Sequence, residues 1–144
     1  MPHASDSSAQ RAAEPLIVDA VAAFVGVQLA AETIDLGDGV KVQIDGASAD
    51  RSVLVEAYAH MGPLLSGQSR KLTTDAFKLV WAGGRLGSKR LVIAVADVDA
   101  ESYLLRPRVW LTAALRDSGV EVVRVSIDEL AQTRVVDAQR IQFR

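Results

Sequence analysis

The sequence predicts an α/β domain whose mixed sheet is flanked by helices, in the order α-β-β-β-α-β-α-β. Three observations predict it. Leu16, Ala20, Ala23, Phe24, Val27 and Ala31 recur at helical spacing near the amino terminus. Three β-rich runs then follow, separated only by short turns, which is the pattern of an antiparallel meander. The later apolar runs are instead separated by helix-length segments, which favours parallel pairing with right-handed crossovers.

Residues 1–13 are polar and rich in small side chains and read as a flexible tail. Glu14-Pro15 is expected to open the first helix, because proline is tolerated in a first turn where its missing N–H has no partner. Residues 33–36 are a short strand, and Gly37-Asp38-Gly39 supplies turn residues that tolerate positive φ. Residues 40–45 alternate strictly: Val40, Val42 and Ile44 against Lys41, Gln43 and Asp45. Residues 46–50 form a polar turn, and 52–59 form a third strand with Glu56 in its middle.

Residues 68–82 read as a second helix with Leu72, Ala76, Leu79 and Val80 on its core side. Residues 90–96 are a near-continuous apolar run, as in a strand covered on both faces. A helix over about 101–117 contains Pro107, which implies a kink or a later start. Residues 121–127 are the last strand. The expected organisation is a tail over 1–13, one domain over 14–130 and an extension over 131–144.

The chain has 144 residues, a usual length for one domain, and 49% hydrophobic residues, enough for a core. It has no cysteine, which excludes disulfides, zinc thiolate sites and cysteine nucleophiles. Net charge is −2, so any contact with nucleic acid needs a local basic patch. Neither a signal peptide nor a membrane span is legible, and a cytoplasmic protein with no membrane partner is the expectation.

The chemistry concentrates in the meander. Asp45 ends the second strand and Glu56 sits in its hairpin neighbour, about 4.8 Å away in a paired sheet. Two carboxylates held together repel, and a divalent cation relieves that repulsion. Mg²⁺ or Mn²⁺ suits the pair, since Mg²⁺ keeps several waters and binds through one or two carboxylates plus substrate phosphate. On the next helix Lys71, Asp75 and Lys78 form one stripe, and a lysine reaching the carboxylates would stabilise transition-state charge.

A helix, a three-strand meander carrying Asp45 and Glu56, a helix and a strand resemble the PD-(D/E)XK, or restriction endonuclease-like, nuclease superfamily. The resemblance covers roughly residues 14–97. It implies an αβββαβ core and Mg²⁺-dependent hydrolysis of DNA phosphodiesters. It also implies Asp45 and Glu56 as metal ligands, Glu14 as an outer acidic partner, and a homodimer for cutting both strands. The family's lysine should stand two residues after Glu56, where this chain has Tyr58. Some members move it to the following helix, which makes Lys71 or Lys78 the candidate, Lys71 being preferred as nearer the helix start.

Competing readings exist for several residues. The domain is alternatively a catalytically inactive binding or assembly module, or a phosphotransferase using Asp97, although Glu101 stands where that signature needs threonine. Residues 83–90 look like a phosphate loop but run from helix to strand, the wrong order, so a helix cap and basic turn is favoured. Its Arg85, Lys89 and Arg90 remain candidate contacts for a nucleic-acid backbone. Asp99 is expected to cap the next helix, His3 and His60 to lie on the surface, and Trp81 and Trp110 to anchor the core or its rim.

Overall fold

A computed structural model describes residues 4–142. The elements run α1 (Ala4–Val25), β1 (Ala30–Asp35), β2 (Lys41–Ala47), β3 (Val53–Tyr58), α2 (Ser66–Leu86), β4 (Arg90–Val95), α3 (Val98–Leu104), α4 (Trp110–Asp117), β5 (Val120–Arg124) and α5 (Glu129–Gln142). The five strands form one mixed sheet in the order β1-β2-β3-β4-β5. The meander pairs antiparallel, and β3-β4 and β4-β5 pair parallel. Among the described residues no helix is long and apolar enough to cross a membrane.

The hairpin residues behave as their chemistry dictates: Gly37, Asp38 and Gly39 have φ of 111°, 55° and 76°. Leu36 N–H closes the turn on Val40 O at 2.8 Å. β3 and β4 are apolar on both faces because both are covered. One face packs Leu54, Tyr58, Leu91, Ile93 and Val95 beneath α2, α3 and α4. The other packs Val53, Val55, Ala57, Val92 and Ala94 beneath α1 and α5.

Several sequence expectations change. Residues 4–13 are the first turns of α1 rather than a tail, since Ala9, Gln10, Arg11, Ala12 and Ala13 all favour helix and Ala13 is buried. Residues 1–3, and with them His3, lie outside the described residues. Pro15 is therefore inside α1, where it removes one intrahelical hydrogen bond. The buried stripe of α1 is Ala13, Ile17, Val18 and Val21, whereas Leu16, Phe24 and Val27 are exposed. The helix is apolar on more than one side, so periodicity alone did not choose the face.

Val80 likewise faces out, beyond the edge of the α2 core stripe. The helix expected over 101–117 is two, α3 and α4, separated by the segment containing Pro107. The described part of the expected extension, residues 131–142, is not an appendage: within α5, Ala131, Val135 and Ala138 are buried, the first two in the cluster with α1.

Candidate functional site

The site lies where β2 and β3 stop pairing. Their backbone register holds at Gly46–Val55 and Ala47–Leu54, and Asp45 and Glu56 come next. There the carboxylates replace the ladder. Glu56 Oε2 accepts from Asp45 N–H at 3.2 Å, and Asp45 Oδ2 accepts from Ala57 N–H at 2.9 Å.

A bulge makes this possible. Between Ala30 and Glu32, β1 advances two residues, while β2 runs three, from Ala47 to Ile44. Val42 and Ile44 pack in the cluster under α2, so strict alternation would turn Asp45 to the face away from Glu56. The extra residue resets the alternation and sets Asp45 opposite Glu56. Gly46 fits the bend for a second reason: a Cβ there would stand 2.7 Å from Val18 Cγ1 on α1.

Glu56 is 1% exposed. Burial first, then the hydrogen bond and the charge of Asp45, push its carboxyl up from the ordinary 4.5 to about 9, against the opposing pull of Lys78. The Lys78 ammonium forms an ion pair with Glu56 Oε1 and donates to Gln43 O at 2.9 Å. Lys78, not Lys71, is therefore the lysine on Glu56. Lys71 donates to Asp75 Oδ2 at 3.0 Å, one turn before. Burial alone would lower the Lys71 ammonium, but Asp75, Glu14 and Asp45 together raise it.

Glu14 approaches from α1, on the other side of the sheet. Burial and then Asp45 raise its carboxyl to about 7, with Asp75 adding to the rise and Lys71 and Arg11 opposing it. Residues of α1 and α2 thus sense one another where the strands separate. A cleft of about 480 Å³ opens here, lined by Arg11, Glu14, Asp19, Gln43, Asp45 and Lys78. Among the described residues no group of three or more His, Asp or Glu side chains converges as a metal-binding set. A cation at this site would rest on the Asp45–Glu56 pair, with water completing its shell. The crowding of those two carboxyls is the arrangement a divalent cation relieves.

Other candidates lie elsewhere. Asp97, rather than Asp99, caps α3, accepting from Asp99 N–H at 3.0 Å and from Gly62 N–H at 3.1 Å. His60 is 5% exposed rather than on the surface, because β3 runs straight into a packed turn, with its ring 6.0 Å from that of Tyr58. Tyr58 itself is buried under α2, where burial raises its phenol. Trp81 and Trp110 are 39% and 72% exposed and anchor no core. Gly87 caps α2 with φ of 68°, Arg85 donates to Leu36 O, and Arg90 pairs with Glu121.

The sequence reading missed the buried Asp75 and the bulge. Asp75 did stand in the Lys71–Lys78 stripe, and Gly46 inside a strand was the available signal for the bulge. The chain matches no family model, no curated protein and no solved structure.

Proposed function

We propose that this chain is a Mg²⁺-dependent nuclease that hydrolyses DNA phosphodiesters at Asp45, Glu56 and Lys78, with Glu14 as an outer acidic partner. One observation carries the reading: two strand carboxyls meet in a break in the β-ladder, and an ammonium from the next helix lies on one of them. That constellation is what the resemblance to the PD-(D/E)XK superfamily calls for, with the lysine moved onto α2.

Asp45 and Glu56, once ionised, would hold the cation, sharing Glu56 with the Lys78 ammonium. The bound ion would supply Lewis-acid stabilisation of the phosphate and a water of lowered pKa. Lys78 stands to neutralise charge developing on a non-bridging oxygen beside Glu56. Gln43 O fixes its ammonium, so little reorganisation is needed when charge develops. Lys71 stays on Asp75 and keeps that buried carboxylate neutralised.

The experiment is plasmid and oligonucleotide cleavage with Mg²⁺ or Mn²⁺. Asp45→Asn and Glu56→Gln are expected to abolish cleavage, and Lys78→Ala to slow it by about 10² or more. Lys71→Ala should retain most activity. Cleavage that survives both carboxylate substitutions rules the site out.

A second reading is a non-catalytic binding or assembly module on the same scaffold. Tyr58 at the position of the family's strand lysine favours it, as does a Glu56 carboxyl already occupied by Lys78. Calorimetric titration separates the two, because the module predicts no Mg²⁺ or Mn²⁺ heat that Glu56→Gln removes.

A further inference from the structure

The outward side of α2 carries features that neither the core nor the carboxylate site uses. Arg70, Thr74, Phe77 and Trp81 recur at helical spacing and form one narrow exposed stripe. Phe77 is 78% exposed and Trp81 39%, although both are large apolar rings. Arg85 lies against Trp81, its guanidinium carbon 5.9 Å from the ring centroid, so ring and cation form one platform. On this face Arg70 and Arg85 supply positive charge, in a chain whose net charge is −2, while Lys71 and Lys78 are engaged by Asp75 and Glu56. This is the local basic element that an acidic chain needs in order to meet a polyanion.

Phe77 directly precedes Lys78, whose ammonium reaches Glu56. The aromatic stripe and the candidate cleavage site therefore share one rigid helix, with Phe77 and Lys78 about 100° apart around its axis.

We propose that this face of α2 binds single-stranded DNA, with unpaired bases stacking on Phe77 and Trp81 and phosphates held by Arg70 and Arg85. It rests on the nuclease reading for its choice of polymer. Stacking on a protein ring needs the open face of a base, which a strand offers and an intact duplex hides. Charge argues against a second copy as the occupant, because a two-fold interface through this face would set the cations of α2 against themselves.

The test measures anisotropy of a labelled oligothymidine, and of a duplex, with the full chain in EDTA so that cleavage does not interfere. Wild type is expected to prefer the single strand, and affinity should fall with salt. Phe77→Ala and Trp81→Ala should each weaken it about tenfold, with circular dichroism unchanged. Phe77→Trp should retain it, because a flat ring is what stacking requires.

Equal affinity of wild type and the double alanine variant overturns the proposal, as does equal affinity for strand and duplex. Sedimentation showing a wild-type dimer that the double variant dissociates also overturns it, since a second copy then covers the face. Failure of the nuclease reading looks different. Oligothymidine binding that needs Phe77 and Trp81, with no cleavage under Mg²⁺ or Mn²⁺, leaves this surface standing and removes the catalytic role. Cleavage that needs Asp45, with affinity indifferent to Phe77 and Trp81, does the reverse.

Discussion

Asp45 and Glu56 each accept a backbone N–H across β2 and β3 with a side-chain carboxyl, where the strands themselves have stopped pairing. Asp45 N–H donates to Glu56 Oε2 at 3.2 Å, and Asp45 Oδ2 takes the N–H of Ala57 at 2.9 Å. Buried backbone donors need partners, so each carboxylate satisfies a group the open ladder leaves behind. The same break lets α1 and α2, on opposite faces of the sheet, act on one cluster of charges.

The first consequence is a pH dependence of stability. With its carboxyl at about 9 instead of the ordinary 4.5, native Glu56 keeps a proton that the unfolded chain has released. Stability therefore falls as pH rises from about 4.5 towards 9, by an amount on the order of a few kcal/mol. Glu56→Gln mimics the protonated form and should flatten that slope. Urea unfolding at pH 5 and pH 8.5 checks it: the variant gains on wild type only at the higher pH. A parallel fall of both proteins would show that Glu56 titrates normally.

Lys78 and Lys71 should behave differently although they share a helix stripe. Above about pH 9, where native Glu56 is ionised, removing Lys78 leaves a buried carboxylate without its counter-charge and costs about 1–3 kcal/mol, discounted because the lysine keeps 29% of its exposure. Lys71→Met removes an i,i+4 pair whose lysine is exposed, and its cost is that of leaving the buried Asp75 unpaired rather than the few tenths of a kcal/mol of a surface pair alone. A Glu56→Gln/Lys78→Met double variant should lose less than the two single losses combined. Strict additivity in denaturation would mean the ion pair is not formed in solution.

Gly46 sets the depth at which β2 meets α1. A Cβ there lies 2.7 Å from Val18 Cγ1, and the valine, branched at Cβ, has little rotamer freedom with which to move. Gly46→Ala should cost about 1–3 kcal/mol through overpacking. Val18→Ala in the same chain should recover part of that loss, because it vacates the space. No recovery in thermal unfolding would place the cost in the backbone of the bulge instead.

Much of this architecture was legible because local rules and burial agree in it. The glycine-flanked hairpin, the doubly covered β4 and the capped end of α2 follow from residue chemistry at each place. The site was half legible. Asp45, Glu56 and the lysine stripe could be named from pattern, yet simple alternation on β2 would have turned Asp45 away from Glu56. Only the extra residue beside Gly46 reverses that, and a bulge is a property of two strands in register, not of one. The choice of Lys78 over Lys71 depends on how far α2 runs past β2 before the Gln43 carbonyl comes within reach. The buried face of α1 was misread because the helix offers apolar residues on several sides, and the position of α5 decides which is covered.

Glu14 gives the last test, because it reports on the break in the sheet from the α1 side. Burial and Asp45 hold its carboxyl at about 7, while Lys71, on α2, pulls it down. Between about pH 4.5 and 7 the native state retains a proton on Glu14 that the unfolded chain has lost, so this group also removes stability as pH rises through that window. Lys71→Met takes away a cation that favours the charged form, and the Glu14 titration should move above 7. Carboxyl-carbon NMR on wild type and variant reads the shift directly. A Glu14 midpoint indifferent to Lys71 would mean that the two faces of the sheet are electrostatically separate at Asp45, and that the cleft belongs to α1 and β2 alone.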